Sequence, residues 1–404
     1  MRAAWVLPSF IEGSGGHRTI FQNIQCLMEH GYECDVYIED KGDVRTADEL
    51  KKQAEKFFGK CDCNYFLGFD LSSKYDIVFA TAWFTAKIVR DYPHTKYKAY
   101  FIQDFEALFN PMGDGYLLAC TSYCYGLSPI TIGKWLTNKM QTEYHTYSQY
   151  FDFCADHTVY YKKNDAKKEN AICFIYQPDK PRRCSIIGIE ALGIVKYLRP
   201  DIKIYLYGSA VKGNVWFEHT NLGIIPIEQC NELYNKCTVG LCISSSNPSR
   251  IPFEMMAAGL PVVDLYLENN LYDMPDSSVS LAHYTPESIA QALLDIIDSP
   301  KKAEQLSHTG QEFMKDRTLE YGFHQFFQAV DNLVNHRVDH DTTVTRLYQR
   351  PPIIADIILQ NSIQESTYQG MSAPQKNLLD TLKHNHWLRK SKLVRRIWHY
   401  IKGY

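Results

Sequence analysis

Two adjacent guanidinium side chains, Arg182 and Arg183, close the short stretch Pro178–Arg183 just after an apolar segment. Such a pair can grip a diphosphate through forked, charge-assisted hydrogen bonds; the plainer alternative is a solvated basic turn. Further on, Ser249, Arg250 and Glu254 flank the start of a short helix that Pro252 opens and Gly259 closes. A carboxylate in that first turn either complements the helix dipole, worth roughly 0.3–1 kcal/mol, or accepts hydrogen bonds from ribose hydroxyls. In the second case Ser249 and Arg250 complete a polar cup around phosphate and sugar. The glycines of Gly13-Ser14-Gly15-Gly16-His17 leave backbone N–H groups uncovered at a helix start, where a diphosphate is favoured, or else make only a tight turn. Arg18 stands where a dinucleotide fingerprint needs its third glycine, which argues against a nicotinamide or flavin dehydrogenase. Asp104 and Glu106 end an apolar run, either facing a cleft or capping the turn that follows.

Loops of this kind need strands to hold them. Ala3–Leu7, Cys34–Ile38, Ile77–Ala80, Tyr97–Ile102 and Ile130–Ile132 read as buried strands, with a helix from about His17 to His30 between the first two. The charged run Lys162–Asn170 then marks a boundary, after which the pattern restarts. Ala171–Tyr176, Ile202–Tyr207, Val239–Ile243 and Pro261–Tyr266 read as strands, and Ser185–Leu198, Pro286–Ile297, Lys301–Lys315 and Gly322–Asn335 as helices. Alternation of this type predicts α/β architecture with parallel sheets. The expected organisation is a Rossmann-like domain over 1–165, a second over 166–335 facing it across a central cleft, and a helical extension over 336–404. Within that extension, Asn385–Tyr404 carries six basic residues and no acid, interleaved with Trp387, Ile397, Trp398 and Ile401. This is a basic amphipathic helix, suited to an anionic membrane surface or to packing on the body with a solvated face.

With 404 residues the chain is long enough for two cores, and its net charge of −3 gives no case for nucleic acid. The twelve cysteines lack zinc spacing, and many fall inside expected helices and strands, where free thiols behave as small apolar groups. The N-terminal apolar run is too short for a signal peptide and no stretch nears the ~20 residues needed to span a bilayer. A reduced, cytoplasmic protein is expected.

Taken in order, Gly13–His17, Phe101–Pro111, Pro181–Arg183, Tyr207–Ser209, Asn221–Gly223 and Ser246–Asp264 resemble the retaining GT-B glycosyltransferases of family four. More narrowly they are similar to the WsaF-type rhamnosyltransferases of bacterial surface-glycan synthesis. The resemblance implies a dTDP-L-rhamnose donor, a growing and usually lipid-linked glycan acceptor, and no catalytic metal or other cofactor. It implies donor contacts at Gly15, Gly16, His17, Arg182, Arg183, Gly208, Ser209, Ile225, Ser249, Arg250 and Glu254. Asp104, Arg182 and Arg250 are the implied catalytic groups, the arginines stabilising the departing diphosphate. One position departs from the pattern. Family four usually has two glutamates eight positions apart, and the first falls on Ser246. That glutamate touches donor-sugar hydroxyls, so its absence bears on donor choice. A nucleotide-sugar epimerase and a non-catalytic scaffold on the same fold are the rival readings.

Overall fold

The computed structural model describes residues 1–42, 46–211, 213–337 and 343–355. The tail Asn385–Tyr404, and with it the membrane-surface expectation, lies outside the described residues. Met1–Lys212 and Phe217–Ile354 gather into one unit that contains both sheets; Gly213–Trp216 and Ala355 belong to another.

The first sheet holds β1 (Arg2–Leu7), β2 (Glu33–Ile38), β3 (Asn64–Leu67), β4 (Tyr75–Ala80), β5 (Thr95–Ile102), β6 (Ser128–Ile132) and β7 (Gln149–Phe151). Its strands are all parallel, in the order β3-β2-β1-β4-β5-β6-β7. The second holds β8 (Ala171–Ile175), β9 (Lys203–Tyr207), β10 (Thr220–Asn221), β11 (Val239–Leu241), β12 (Val262–Leu265) and β13 (Val279–Ala282). It too is parallel, in the order β10-β9-β8-β11-β12-β13. Strand order reverses between β1 and β4 in one sheet and between β8 and β11 in the other. Crevices at the carboxyl ends of such strand pairs are where open α/β sheets bind ligands. The loops of Gly13–His17, Arg182–Arg183 and Ser249–Glu254 follow strands at a reversal, and those of Asp104 and of Gly208–Ser209 follow strands beside one; Ile225 follows the edge strand β10.

Continuous apolar runs explain the central strands: Ala3 to Leu7 and Ile172 to Phe174 are fully buried, as expected for strands covered by helices on both faces. Helix Ser185–Leu198 approaches β8 closely because Gly188 has no side chain. A Cβ there would stand 2.3 Å from the Phe174 ring.

The spacing of Phe323, Phe326, Phe327, Val330 and Val334 predicts one amphipathic helix, and Leu319–Val334 is helical. Its place in the sequence puts it in the second domain, 166–335. Its apolar side instead lies on the first sheet, where Phe326 meets Trp5, Phe79, Phe101 and Phe151 at ring distances of 5.5–6.3 Å. Gln149 also donates to the Ala329 carbonyl (2.8 Å) and the Tyr97 hydroxyl to that of Val334 (2.7 Å). The chain therefore crosses between the sheets twice. The crossings run side by side, Ala155 N–H donating to the Arg317 carbonyl (3.1 Å) and the Arg317 guanidinium pairing with Asp152 (3.1 Å).

Candidate active site

After β1 the loop turns at Gly13 (φ +72°), and Ser14 caps helix Gly15–Glu29 by accepting the His17 N–H at 3.3 Å. A Cβ on Gly15 would meet nothing, and one on Gly16 would make only ordinary contacts with Gln103 at 3.7 Å and Ser14 Oγ at 3.8 Å. Glycine here uncovers backbone rather than solving a packing problem. His17 is turned inward. Its Nδ1 lies 3.0 Å from the Ser14 hydroxyl, its Nε2 3.3 Å from the Pro8 carbonyl, and its ring stacks on Phe58. Burial holds the imidazole below its usual value, so it shapes this loop as a neutral ring.

After β8, Pro181–Arg183 form a single 3-10 turn tied to the β11 loop, because the Arg182 carbonyl accepts from the Ser245 N–H (3.0 Å) and hydroxyl (3.2 Å). The Arg182 guanidinium lies over the Phe109 ring at 4.5 Å and its Nε is 3.8 Å from Asp104 of the first domain. Burial lowers the Arg182 value, with Asp104 opposing; Lys180 is lowered the same way, with Arg183 and Arg182 adding to the effect. Burial pushes Asp104 up, against the pull of Arg182, Ser246 and Arg183. Arg182 and Asp104 thus meet across the cleft.

Arg183 is different. Its Nε and Nη1 are buried without a well-formed hydrogen-bond partner. Asp104 Oδ1, Ser185 Oγ, Ser246 Oγ, Asn247 Oδ1 and Asp264 Oδ2 are in the same condition, so seven of the ten such atoms among the described residues lie on the segments that follow β5, β8 and β11 and on β12. Buried polar atoms cost free energy when left unpaired, and a concentration of them marks a place where a polar ligand or ordered water belongs.

The loop after β11 leads into helix Ile251–Ala257, where Ser249 Oγ accepts the Ile251 N–H (3.4 Å). Glu254 lies in the first turn as expected. Burial raises its carboxyl, while Arg250, Arg18 and the Tyr160 hydroxyl pull it back. Arg250, expected on the diphosphate, instead donates to Thr19, Gln22 and the Cys154 carbonyl. Gly208 is required by its left-handed backbone (φ +101°), and a Cβ would also press on the end of the Ile175 side chain at 2.3 Å. Ser209 is spent on Asp179 and on the Val211 N–H. Ile225 lines a separate open cavity of about 960 Å³ with Tyr161, Tyr205 and Leu222, a lining that includes none of Arg182, Arg183, Arg250 or Glu254. The structure therefore assembles Asp104, Arg182, Arg183, Ser249 and Glu254 beside the glycine loop and sets Ile225 apart.

Several participants were missed from sequence. Asn247 donates to the Gln103 carbonyl at 2.8 Å, joining the two halves. Arg18 and Tyr160 flank Glu254. Asp264 had a visible signal, a carboxylate inside the apolar run Pro261–Leu265. It is fully buried, and desolvation raises it to about 8 against the Leu265 and Ser244 N–H groups and Arg183. Glu106, which accepts the Trp83 N–H at 2.6 Å, is likewise raised by burial to about 8.

These two carboxyls set a pH dependence. Their folded-state values lie above the unfolded values of about 4. The folded form therefore binds protons more tightly, and this contribution to stability is full below pH ~4 and is lost as pH rises towards ~8. The midpoint of thermal unfolding without ligand should fall between pH 5 and 8.5, and Asp264→Asn should flatten the decline. An equally steep decline in the variant would remove Asp264 from the account.

Comparison with known proteins bears on this arrangement. HepE from Anabaena, crystallised with UDP, superposes with a TM-score of 0.64 at 12% identity, covering 82% of this chain and 100% of that one. TarM from S. aureus, in a complex containing UDP and α-GlcNAc-glycerol, gives 0.63 at 9% identity over 83% and 99%. The fold is GT-B. Residues 170–294 match the family described as WsaF, C-terminal domain. The O-antigen biosynthesis protein RfbC of Myxococcus xanthus is 28% identical in an alignment of 341 positions that covers 78% of this chain and 26% of that protein. The chain thus spans about a quarter of that relative's length. In GT-B terms, both strand-order reversals border the one cleft, and the unpaired Arg183 atoms lie at the edge belonging to the second domain. Among the described residues no helix is long and apolar enough to cross a membrane, and no group of three metal-ligating side chains stands together. All twelve cysteines are free.

Proposed function

We propose that this chain is a retaining glycosyltransferase that moves L-rhamnose from dTDP-L-rhamnose to a growing bacterial surface glycan. The observation that carries the reading is the buried, unpaired side of Arg183 at the β8/β11 reversal, beside Arg182 and opposite Asp104. A cation with unspent donors at that edge fits a diphosphate. The match to the WsaF C-terminal domain and the likeness to an O-antigen biosynthesis protein support the glycan pathway. Ser246 in place of a glutamate supports a donor other than the usual hexoses.

In this mechanism Arg182, Arg183 and the free N–H groups of the glycine loop stabilise charge on the departing diphosphate as the sugar passes through an oxocarbenium-like state. Glu254 holds the ribose. The acceptor hydroxyl gives its proton to a donor phosphate oxygen or to Asp104, which Arg182 keeps near the cleft. The basic segment Asn385–Tyr404 would bring the enzyme to the anionic inner face of the membrane, where a lipid-linked acceptor resides.

Turnover is expected with dTDP-L-rhamnose, with little from UDP-glucose, and it should persist in EDTA. Faster turnover with UDP-glucose, or strict metal dependence, would overturn the donor assignment. Sugar rearranged without acceptor would point to an epimerase, and no nucleotide-sugar binding to a scaffold.

A further inference from the structure

Arg250 stands at the start of helix Ile251–Ala257 in the second domain, yet its guanidinium is spent on the first. Nη1 donates to Thr19 Oγ1 at 3.0 Å and to Gln22 Oε1 at 3.2 Å, both on helix Gly15–Glu29, and Nη2 donates to the Cys154 carbonyl at 3.4 Å on the first crossing. Both Nη1 hydrogens are thereby used. The acceptors are neutral groups. Nearby contacts follow the same line between the halves: the Asn247 amide on the Gln103 carbonyl (2.8 Å), and Phe153 stacked on Phe253 with centroids 4.6 Å apart. Thr19 is buried, and its hydroxyl also donates to the Gly15 carbonyl at 3.0 Å, so this acceptor is fixed to the first turn of the helix that ends the glycine loop.

We infer that Arg250 is a positioning residue that pins helix Gly15–Glu29 over the second domain, and that it serves transfer by setting the distance between the glycine loop and Arg182–Arg183 rather than by contact with the diphosphate. This rests on the glycosyltransferase reading above. Thr19 and Gln22 hold Nη1 of Arg250 on the first domain and leave only Nε and one Nη2 hydrogen uncommitted, whereas Arg183 has both Nε and Nη1 unpaired. The pin places the uncovered N–H groups of one domain against the cationic loop of the other, and neither half of the phosphate site is complete alone.

Two variants of the full chain separate the roles. Thr19→Val with Gln22→Leu removes the acceptors and leaves Arg250 in place; Arg250→Leu removes the donor. If Arg250→Leu fails to fold, the double variant carries the test. With the pin, hydrogen exchange should quicken at residues 247–256 when the first-domain acceptors are removed, and at residues 15–22 when Arg250 is removed. Affinity for dTDP by calorimetry should change less than about threefold in both, since no charged contact with the ligand is lost, while transfer slows by about tenfold or more. Loss of more than about tenfold in dTDP affinity for Arg250→Leu alone would make it a diphosphate ligand and overturn the inference. So would unchanged exchange in the opposite domain. Failure of the wild-type chain to bind dTDP or UDP would sink the glycosyltransferase reading instead, while the exchange measurements would still judge the pin.

Discussion

Replacing Arg183 by alanine should weaken dTDP binding by about 1.5–3 kcal/mol, roughly tenfold to more than a hundredfold, with little loss of fold stability. The expectation follows from what its buried atoms lack. Nε and Nη1 have no hydrogen-bond partner, so their removal breaks no hydrogen bond of theirs; what the free protein loses is the attraction of Arg183 for the buried Asp104 and Asp264, which take up a proton more readily without it. Arg182→Ala should also weaken dTDP, but at a cost to the apo protein, because it strips Asp104 of its ion-pair partner and Phe109 of the cation over its ring. Glu254→Gln keeps the shape of the first turn and should lower affinity for the nucleoside part. Calorimetric titration of the three variants decides the matter. Wild-type affinity throughout would dismiss this cleft as the nucleotide site.

The largest expected effect on stability is at a residue far from any chemistry. Phe326→Ala should cost about 3–5 kcal/mol in urea or guanidinium unfolding, as for a phenylalanine lost from a packed core. The ring is fully buried and has four aromatic neighbours, Trp5, Phe79, Phe101 and Phe151, all contributed by the first sheet. Trp5 itself stacks on Phe79 at 4.1 Å, so a cavity here opens against the centre of that sheet. A cost under about 1 kcal/mol would mean that the helix is only loosely attached to the first domain.

Much of this architecture was legible in the residues. The central strands announced themselves as unbroken apolar runs, the signature of strands buried on both faces. The strands that escaped were β3, β7, β10 and β13, the four at the sheet edges. Asn64–Leu67 has only three apolar residues, of which Phe66 is exposed, and Thr220–Asn221 is exposed throughout and has none. Helix Leu319–Val334 was legible as an element and misplaced as a partner, because periodicity reports which side is buried and not what covers it. In the site, adjacent charges were readable: Arg182 with Arg183, and Glu254 at its helix start. Contacts between residues over a hundred positions apart were not, as with Asn247 on Gln103 and Arg250 on Thr19. His17 shows the converse. A histidine at a glycine-rich helix start suggests ligand contact, but Ser14, Pro8 and Phe58 already satisfy it.

The double crossing has a mechanical meaning. A domain hung on one strand of chain can swivel in any direction, whereas two parallel strands laced together by Ala155, Arg317 and Asp152 act as a strap hinge and leave one axis of easy rotation. Proteolysis offers a simple view of this. A single cut in the exposed turn around Asn164 and Asp165 would sever the first strand of the strap, yet the fragments would stay together, because the returning helix remains buried against the sheet it came back to. Parting the lobes would take two cuts, one in each strand.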